Sequence, residues 1–373
     1  MKISDKGGDG VRNDRNDKAL LIFFAAGLLL CFTLAVFFPA PRFSERENRN
    51  LTEKPRFSLP ALTNGTWETE TDTYLTERFC LRTGCRALRA VTELTEGKRE
   101  VSGIILGSDG SLLRRGNASP RTLAANLSGV RRLSESAEER GVPFTVAAVP
   151  RAVDVRADVL PALYLPETGL YQTLSETLPG ALSLTELNGS GDFYATDHHL
   201  TTAGAFRAYL ALCPLLEITP YTYEDFEVTC VSTAFAGTSD AAAGIPGVRP
   251  DKIELYRFAG DTDFTVIRDG TPAAFAGFYD TEKLTRRDQY AVFLGGNAGV
   301  TEVRQGEGDA RPVLLLYRDS YGNALIPFLA RHFRILAVDP RYTSAPLSSF
   351  LDGADLTLVF CGMQSLSETA MFR

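Results

Sequence analysis

The chain has 373 residues, of which 44% are hydrophobic and 23% are charged, as in ordinary packed globular proteins. Its formal net charge of −7 argues against nucleic-acid binding, which would call for a basic surface. The length favours one large domain with accessory segments over three small domains.

The first predicted element is an apolar helix at residues 19–38, which read ALLIFFAAGLLLCFTLAVFF and contain no charged side chain. About 20 such residues span the hydrocarbon core of a bilayer. The alternative is a cleavable signal peptide, whose apolar region is about 7–15 residues long and ends at a small-x-small site. We predict an uncleaved single-pass anchor, with residues 1–18 as a cytoplasmic tail and the main domain extracytoplasmic. Basic residues flank the span on both sides, so charge alone does not set this orientation.

Residues 39–100 are predicted to form a tether and a helical neck. The first part is polar and interrupted by prolines, and from Glu68 onward apolar residues recur at helical spacing. The main domain is expected at residues 101–373. It begins with a hairpin at residues 104–113, for which Asp109 and Gly110 supply the turn.

Helices and buried strands then alternate, an order typical of α/β proteins. Helices are predicted at residues 126–141, 170–178 and 201–213, and a buried strand at residues 143–150. The region at about 227–300 is predicted as an irregular β insertion. Three later apolar runs, PVLLLY, RILAVD and LTLVFCG, are typical of strands covered on both faces. The expected fold is α/β, with a doubly wound, flavodoxin-like parallel sheet and helices on both faces.

The six cysteines show neither Cys-x-x-Cys pairs nor the Cys/His spacing of zinc sites, and no metal or other cofactor is predicted. Cys31 lies in the apolar span. Cys80 and Cys85 are compatible with a short-loop disulfide and equally with two free thiols, and the sequence leaves this open.

The first candidate catalytic group is Ser320, in the segment LLLYRDSYGNAL. Functional groups of parallel α/β sheets collect where strands end, and Ser320 stands between a buried strand and a helix that begins near Gly322. Such a turn exposes the hydroxyl, and backbone N–H groups at the helix start can receive a developing oxyanion. The alternative is that Ser320 only caps the helix.

The second candidate is Asp197-His198-His199, which holds two of the three histidines in the chain. In an extended segment residues i and i+2 point to the same side, so Asp197 is expected to orient His199 while His198 points elsewhere. His199 would then deprotonate Ser320, as in a Ser-His-Asp triad. Two alternatives are that Asp197 caps the following helix, and that the cluster binds a metal ion, although adjacent histidines rarely reach one ion.

Both segments resemble a known family. YATDHHLTTAGAFRAY and RDSYGNALIPFLARHFRILAVDPRY are similar to two blocks of the bacterial DHHW protein family, and FAGTSDAAAG at residues 235–244 matches a further segment. That family is similar to the periplasmic alginate O-acetylation proteins, whose SGNH-hydrolase-like domain uses a Ser, a His and an Asp, with the D-x-H pair before the serine. The resemblance runs roughly from residue 72 to the C-terminus. It implies an SGNH-hydrolase-like fold with Asp197 as the orienting acid, His199 as the base and Ser320 as the nucleophile.

Neighbouring residues in these blocks complete the predicted site. His198, Tyr321, Asn323 and Arg341 are expected to bind substrate or to support the triad. The chain departs from the family at Leu200, where the motif has the tryptophan that names it. A leucine keeps the apolar packing behind the histidine but removes an aromatic wall for a sugar.

The resemblance implies an enzyme that moves an acetyl group to or from a cell-envelope or exopolysaccharide through an acyl-Ser320 intermediate. A sugar hydroxyl as acceptor makes it an O-acetyltransferase, and water makes it an esterase; the sequence does not separate the two. The expected partners are the polysaccharide and a multi-spanning membrane acyltransferase that brings acetyl groups across the bilayer. The alternative is a catalytically silent polysaccharide-binding or scaffold protein of an envelope acetylation complex.

Overall fold

A computed structural model describes residues 10–38, 41–44 and 49–372 and divides the chain into two compact units, with the boundary between Arg89 and Ala90. The elements of the first unit are, in chain order, α1 (Gly10–Phe37), β1 (Phe43–Ser44), β2 (Arg49–Asn50), α2 (Leu59–Thr63) and α3 (Thr66–Arg78). A further helix, α4 (Arg82–Thr95), crosses the boundary.

Helix α1 contains the segment expected to span a membrane. Its part Asp17–Phe37 is long and apolar enough to cross a bilayer, and most of its large apolar side chains are more than half exposed. The helix already begins at Gly10, so part of the predicted tail is helical; residues 1–9 lie outside the described residues. Length and composition of this kind suit a membrane anchor and a signal sequence alike.

The region predicted as a helical neck forms two helices. α3 ends at Arg78, because Phe79 has extended backbone (φ −64°, ψ 122°) that cannot continue the helical hydrogen bonds. α4 then starts at Arg82. Cys80 and Cys85, for which the sequence left a disulfide open, are exposed free thiols.

The second unit is built on an eight-stranded sheet. The strands of this unit are, in chain order, β3 (Glu100–Val101), β4 (Ile104–Leu106), β5 (Leu112–Arg114), β6 (Phe144–Val149), β7 (Leu182–Ser183), β8 (Glu227–Phe235), β9 (Asp251–Arg257), β10 (Phe264–Arg268), β11 (Thr271–Pro272), β12 (Val300–Gln305), β13 (Val313–Arg318), β14 (Arg334–Val338) and β15 (Leu356–Gly362). The helices are α5 (Pro120–Glu138), α6 (Ala152–Val155), α7 (Gly169–Thr177), α8 (Thr202–Leu212), α9 (Thr238–Ala243), α10 (Gly322–Leu329) and α11 (Met363–Glu368). The strand order in the sheet is β11-β10-β12-β14-β13-β15-β6-β7.

The sheet is mixed, which corrects the prediction of a parallel one. Strands β14, β13, β15, β6 and β7 run parallel, as the continuous apolar runs indicated. Strands β12, β10 and β11 are added antiparallel at one edge. β12 reads VTEVRQ, in which buried residues alternate with more exposed ones, and this is the pattern of an antiparallel strand with one face toward solvent.

The predicted β insertion at about residues 227–300 divides into two parts. β8 and β9 form a separate antiparallel pair, as expected of an insertion. β10 and β11 instead belong to the main sheet, so the insertion is shorter than predicted. The short alternating runs of this region signalled strands correctly but did not show which sheet each strand joins.

Other local elements follow their sequence signals. β4 and β5 form the predicted hairpin around Asp109 and Gly110. α5 starts earlier than expected, because Ser119 caps it by accepting from the Thr122 N–H at 3.2 Å. The chain leaves this helix through Gly141, whose φ of 70° favours glycine.

The central strand β13 fixes the position of the candidate site. Leu314 and Leu316 pack with α8 and α10 on one face of the sheet, and Leu315 and Tyr317 pack with α5, α7 and α11 on the other. Because the strand is held between two helical layers, the turn at its carboxyl end, which carries Ser320, has little freedom to move.

Candidate active site

The segment with the two histidines is a closed loop. Phe193 and Leu200 pair as an antiparallel bridge at its base, and the Tyr194 N–H donates to the His199 carbonyl at 3.1 Å. Thr201 caps α8 by accepting from the Gly204 N–H at 3.0 Å. The alternative in which Asp197 caps this helix is therefore wrong.

The structure brings the three predicted catalytic side chains into one hydrogen-bonded chain. The Ser320 Oγ lies 2.7 Å from His199 Nε2, and His199 Nδ1 lies 2.5 Å from an Asp197 carboxylate oxygen. Ser320 lies two residues after the end of β13, and α10 has no side-chain cap, so the interpretation of Ser320 as a capping serine is also wrong. All three side chains are buried. In this order of contacts an imidazole can take the hydroxyl proton while the carboxylate stabilises the charge that forms.

Asp197 is held by donors on both of its oxygens. The His199 N–H donates to Oδ1 at 2.9 Å, and the Thr238 N–H and hydroxyl donate to Oδ2 at 2.6 and 2.8 Å. Burial alone would raise the pKa of this carboxyl. The adjacent His199 and His198 rings and these hydrogen bonds outweigh burial and hold the pKa of Asp197 well below its usual range. The group is therefore ionised, as an acid that orients an imidazole must be.

A third chain segment, which sequence reasoning did not place in the site, supports Asp197 from the other side. It is the start of α9, where Thr238 follows Gly237. A Cβ at Gly237 would lie 2.3 Å from the Asp197 Cβ, so only glycine allows this approach. Asp251, the first residue of β9, holds the loop that contains Asp197. Its carboxylate accepts from the N–H groups of Ala195 and Thr196 at 2.9 and 2.7 Å. The resemblance of FAGTSDAAAG to the family was the one sequence signal for this segment.

The close approach at Gly237 gives a first testable prediction. Gly237→Ala is expected to displace Asp197, lower the free energy of unfolding by about 1–3 kcal/mol and reduce ester hydrolysis together with it. Gly308→Ala is the matched control, because a Cβ there meets nothing within 4 Å. Urea unfolding and p-nitrophenyl acetate turnover of the two full-length variants make the comparison. A Gly237→Ala variant as stable and active as Gly308→Ala would contradict the packing argument.

Tyr290 fixes the His199 ring and was also missed. Its ring stacks on His199 at a centroid distance of 4.0 Å and an interplanar angle of 13°, and its hydroxyl donates to the Ser320 carbonyl at 3.1 Å. Tyr290 lies in the region predicted as an insertion, where no motif pointed to it. One side chain thus contacts both the His199 ring and the turn that carries Ser320.

His198 does not point away from the site, which corrects the prediction made from i, i+2 spacing. Its ring lies 4.0 Å from the His199 ring, and its Nδ1 is 2.9 Å from the Thr238 Oγ1. Burial, the neighbouring His199 ring, Arg114 and Arg341 lower the pKa of His198 to about 3, against the opposite effect of Asp197. His198 is therefore neutral at physiological pH, and its 3.6 Å contact with Asp197 is not an ion pair.

Acid is expected to destabilise the protein through His198. The pKa of this ring is about 3 in the folded chain against an ordinary 6.5, so the unfolded chain binds more protons between these values and stability falls as pH drops through that window. His198→Asn removes the group and should reduce the slope of unfolding free energy against pH by up to about 1.4 kcal/mol per pH unit. Urea unfolding between about pH 7 and pH 4 measures both slopes. Equal slopes would contradict a neutral His198 ring in the folded chain.

The remaining predicted site residues have structural partners. The Tyr321 hydroxyl donates to the His198 carbonyl at 2.7 Å, and the Asn323 amide donates to Asn297 Oδ1 at 3.0 Å. Arg341 binds Asp339 through two nitrogens at 2.9 and 2.7 Å. These contacts hold the loops around Ser320 and so fit a supporting role.

The backbone N–H groups at the start of α10 are engaged within the turn. The Tyr321 N–H donates to Asp319 Oδ1 at 3.0 Å, the Gly322 N–H to the Asp319 carbonyl at 3.1 Å, and the Asn323 N–H to the Ser320 carbonyl at 3.2 Å. All three groups thus stabilise the turn, and their donation to an oxyanion stays a prediction.

Leu200, which replaces the tryptophan of the motif, is fully buried. It packs with Phe193 and Tyr194 in the core beneath the loop. This position faces the protein interior, so the substitution preserves the packing behind His199 and does not remove a surface wall.

Among the residues that the structure describes, Asp197, His198 and His199 form a group that could hold a metal ion, since their ligand atoms lie within 4.8 Å of one another. However, both ring nitrogens of His199 are already bonded, to Asp197 and Ser320, and Asp197 accepts on both oxygens. The donor set fits a proton-transfer chain better than a coordination sphere.

Comparisons with known proteins agree with the resemblance seen in the sequence. Residues 187–338 match the family model described as DHHW protein. Similar solved structures are a DHHW family protein from Eubacterium siraeum (20% identity, 72% of this chain and 93% of that chain, TM-score 0.57) and PatB1 of Bacillus cereus (17% identity, 72% and 99%, TM-score 0.60). The O-acetyltransferase domain of Pseudomonas putida AlgJ overlaps less well (18% identity, 71% and 92%, TM-score 0.43). Among proteins of curated function there is no match.

The matched range has a direct relation to the site. It includes the loop with Asp197 and His199, the Gly237–Thr238 segment and the turn with Ser320. The first two solved structures share the fold over nearly their whole length. Residues 187–338 are thus similar to the DHHW protein family, as the two motif blocks indicated.

Proposed function

We propose that this protein is a membrane-anchored, extracytoplasmic enzyme of the SGNH-hydrolase type that acts as an O-acetyltransferase or acetylesterase on a cell-envelope or exopolysaccharide. The observation that carries the proposal is the hydrogen-bonded order Ser320–His199–Asp197, with 2.7 Å between the hydroxyl and the base. Helix α1 would be the anchor, and the main domain would lie outside the cytoplasm.

The chemistry follows from the positions of the three groups. Ser320 Oγ attacks the acetyl carbonyl carbon of the donor while His199 Nε2 takes the hydroxyl proton, and Asp197 stabilises the imidazolium. The same proton passes to the leaving oxygen of the donor, which leaves an acetyl-Ser320 ester. In the second half, His199 takes a proton from the acceptor hydroxyl as its oxygen attacks, and returns that proton to Ser320 Oγ as it leaves. A sugar as acceptor gives transfer, and water gives hydrolysis.

The identities proposed for the substrate and the partner rest on the resemblance to the DHHW protein family. That family is similar to the alginate O-acetylation proteins, which favours a polysaccharide as the acceptor and acetyl transfer over hydrolysis. An acetyl donor made in the cytoplasm would need a multi-spanning membrane acyltransferase partner, because one helix such as α1 cannot form a path across a bilayer.

The test separates an enzyme from the silent binding or scaffold protein of the same fold. The full-length chain in detergent is assayed for p-nitrophenyl acetate hydrolysis and for labelling by a fluorophosphonate. A sulfonyl fluoride is the second probe, because PatB1 has been solved with a sulfonyl adduct. We expect hydrolysis and labelling in the native chain and in the control Ser344→Ala, whose serine is exposed, and neither in Ser320→Ala. Absence of both in the native chain would overturn the proposal in favour of the silent protein.

A further inference from the structure

The Thr238 hydroxyl determines which nitrogen of His198 carries a proton. This hydroxyl lies 2.8 Å from Asp197 Oδ2 and 2.9 Å from His198 Nδ1. A hydroxyl has one proton to donate, and an ionised carboxylate can only accept. The Thr238 proton therefore points to Asp197, and the Thr238 oxygen must accept from the N–H at His198 Nδ1.

The other nitrogen of His198 is then left with a free lone pair. A neutral imidazole carries a single N–H, so Nε2 is an acceptor. Within the described residues no group bonds to this nitrogen, while 21% of the side chain is exposed. A hydrogen-bond acceptor without a protein partner thus lies at an accessible edge of the site.

This acceptor lies beside the reacting groups. The His198 and His199 rings are 4.0 Å apart, and in both rings Nδ1 is the nitrogen nearer to Asp197. The Nε2 atom of each ring is thus the one farther from the carboxylate, and Ser320 Oγ meets His199 at this nitrogen.

We propose that His198 Nε2 accepts a hydrogen bond from a second hydroxyl of the substrate, adjacent to the hydroxyl that reacts at Ser320, so that the site selects vicinal diols such as those of sugar rings. No proton is transferred to His198; its role is to bind and orient. The inference rests on the proposed function and names the chemical group by which the acceptor is recognised.

The test compares two acceptors that differ in one hydroxyl. Glycerol contains a vicinal diol, and 1,3-propanediol lacks the middle hydroxyl. Acetyl transfer from p-nitrophenyl acetate to each is measured with the full-length chain, and the ratio of the two ester products is taken within one enzyme, which cancels any change in overall rate. We expect glycerol to be favoured by about five- to tenfold, the effect of one added hydrogen bond.

Two His198 variants test whether the preference for glycerol depends on the Nε2 atom of His198. In His198→Asn the amide N–H can replace Nδ1 toward Thr238, but nothing replaces Nε2, and the ratio should fall to about one. In His198→Gln the amide oxygen reaches the position of Nε2, and part of the preference should return. His332→Gln, which removes the third histidine, located beyond the end of α10 and bonded to the Tyr209 hydroxyl, should keep the native ratio.

Each outcome has a distinct meaning. Equal transfer to both acceptors in the native chain, or a native ratio in His198→Asn, would overturn the inference and leave the proposed function standing. No transfer and no hydrolysis at all would overturn the proposed function and this inference with it. Nitrogen NMR of histidine-labelled protein gives a readout besides activity: we expect the Nδ1–H tautomer at His198, and the Nε2–H tautomer would contradict the assignment.

Discussion

His199→Ala is expected to lower p-nitrophenyl acetate turnover by at least about 10³-fold, because it removes the one ring nitrogen in contact with the Ser320 hydroxyl. Without that base the hydroxyl keeps its proton at neutral pH and is a weak nucleophile. Turnover is measured in the full-length chain, with urea unfolding alongside to show that the variant is folded.

His198→Ala is the matched comparison on the neighbouring ring. Because His198 contacts Thr238 and not Ser320, its loss should reduce hydrolysis by water much less than the loss of His199. Equal losses of turnover in the two variants would show that the two rings act as one unit. This would contradict the proposed mechanism, in which His199 alone is the base.

The second large effect is expected for Asp197→Asn, which should lower turnover by up to about 10⁴-fold, as amidation of the orienting acid does in serine hydrolases. The charge that stabilises the imidazolium is lost. The amide can also present N–H groups where Asp197 now accepts from His199 and Thr238, which would turn the ring to the wrong tautomer.

The same variant should also be less stable. Asp197 accepts four hydrogen bonds, and one amide oxygen cannot serve all of them. We expect the free energy of unfolding to fall by about 1–3 kcal/mol. Thr238→Val, which removes one donor to Asp197 and keeps the charge, should lose far less activity. Near-native turnover in Asp197→Asn would contradict the role of Asp197.

The sequence was enough to single out Asp197, His199 and Ser320 as candidates, because each of them lies in a short segment with a local signal. The D-x-H spacing and a serine three residues after the end of a continuous apolar run are local signals, and the strand β13 could be predicted from its composition alone. The relative positions of Ser320 and His199, 121 residues apart in the chain, follow from strand order, which local patterns do not encode.

The features that the sequence did not show depend on tertiary contacts. Residues 197–199 were treated as extended, but the Phe193–Leu200 bridge closes the segment into a loop, and this brings His198 back beside His199. Thr238 and Tyr290 reach the site from distant segments, with ordinary residue types and no characteristic spacing. The antiparallel edge of the sheet was missed for a similar reason, since an alternating strand can pair with any free neighbour.

The most direct test of the acyl-serine mechanism is to detect an acetyl group on the protein during turnover. The full-length protein is mixed with p-nitrophenyl acetate, quenched in acid at early times and analysed by intact mass and peptide mapping. The expected result is one acetyl group per chain, located on Ser320, that appears with the first burst of p-nitrophenol and is absent from Ser320→Ala. Release of p-nitrophenol with no acetyl group on the chain, or with the group on another residue, would contradict the acyl-serine mechanism.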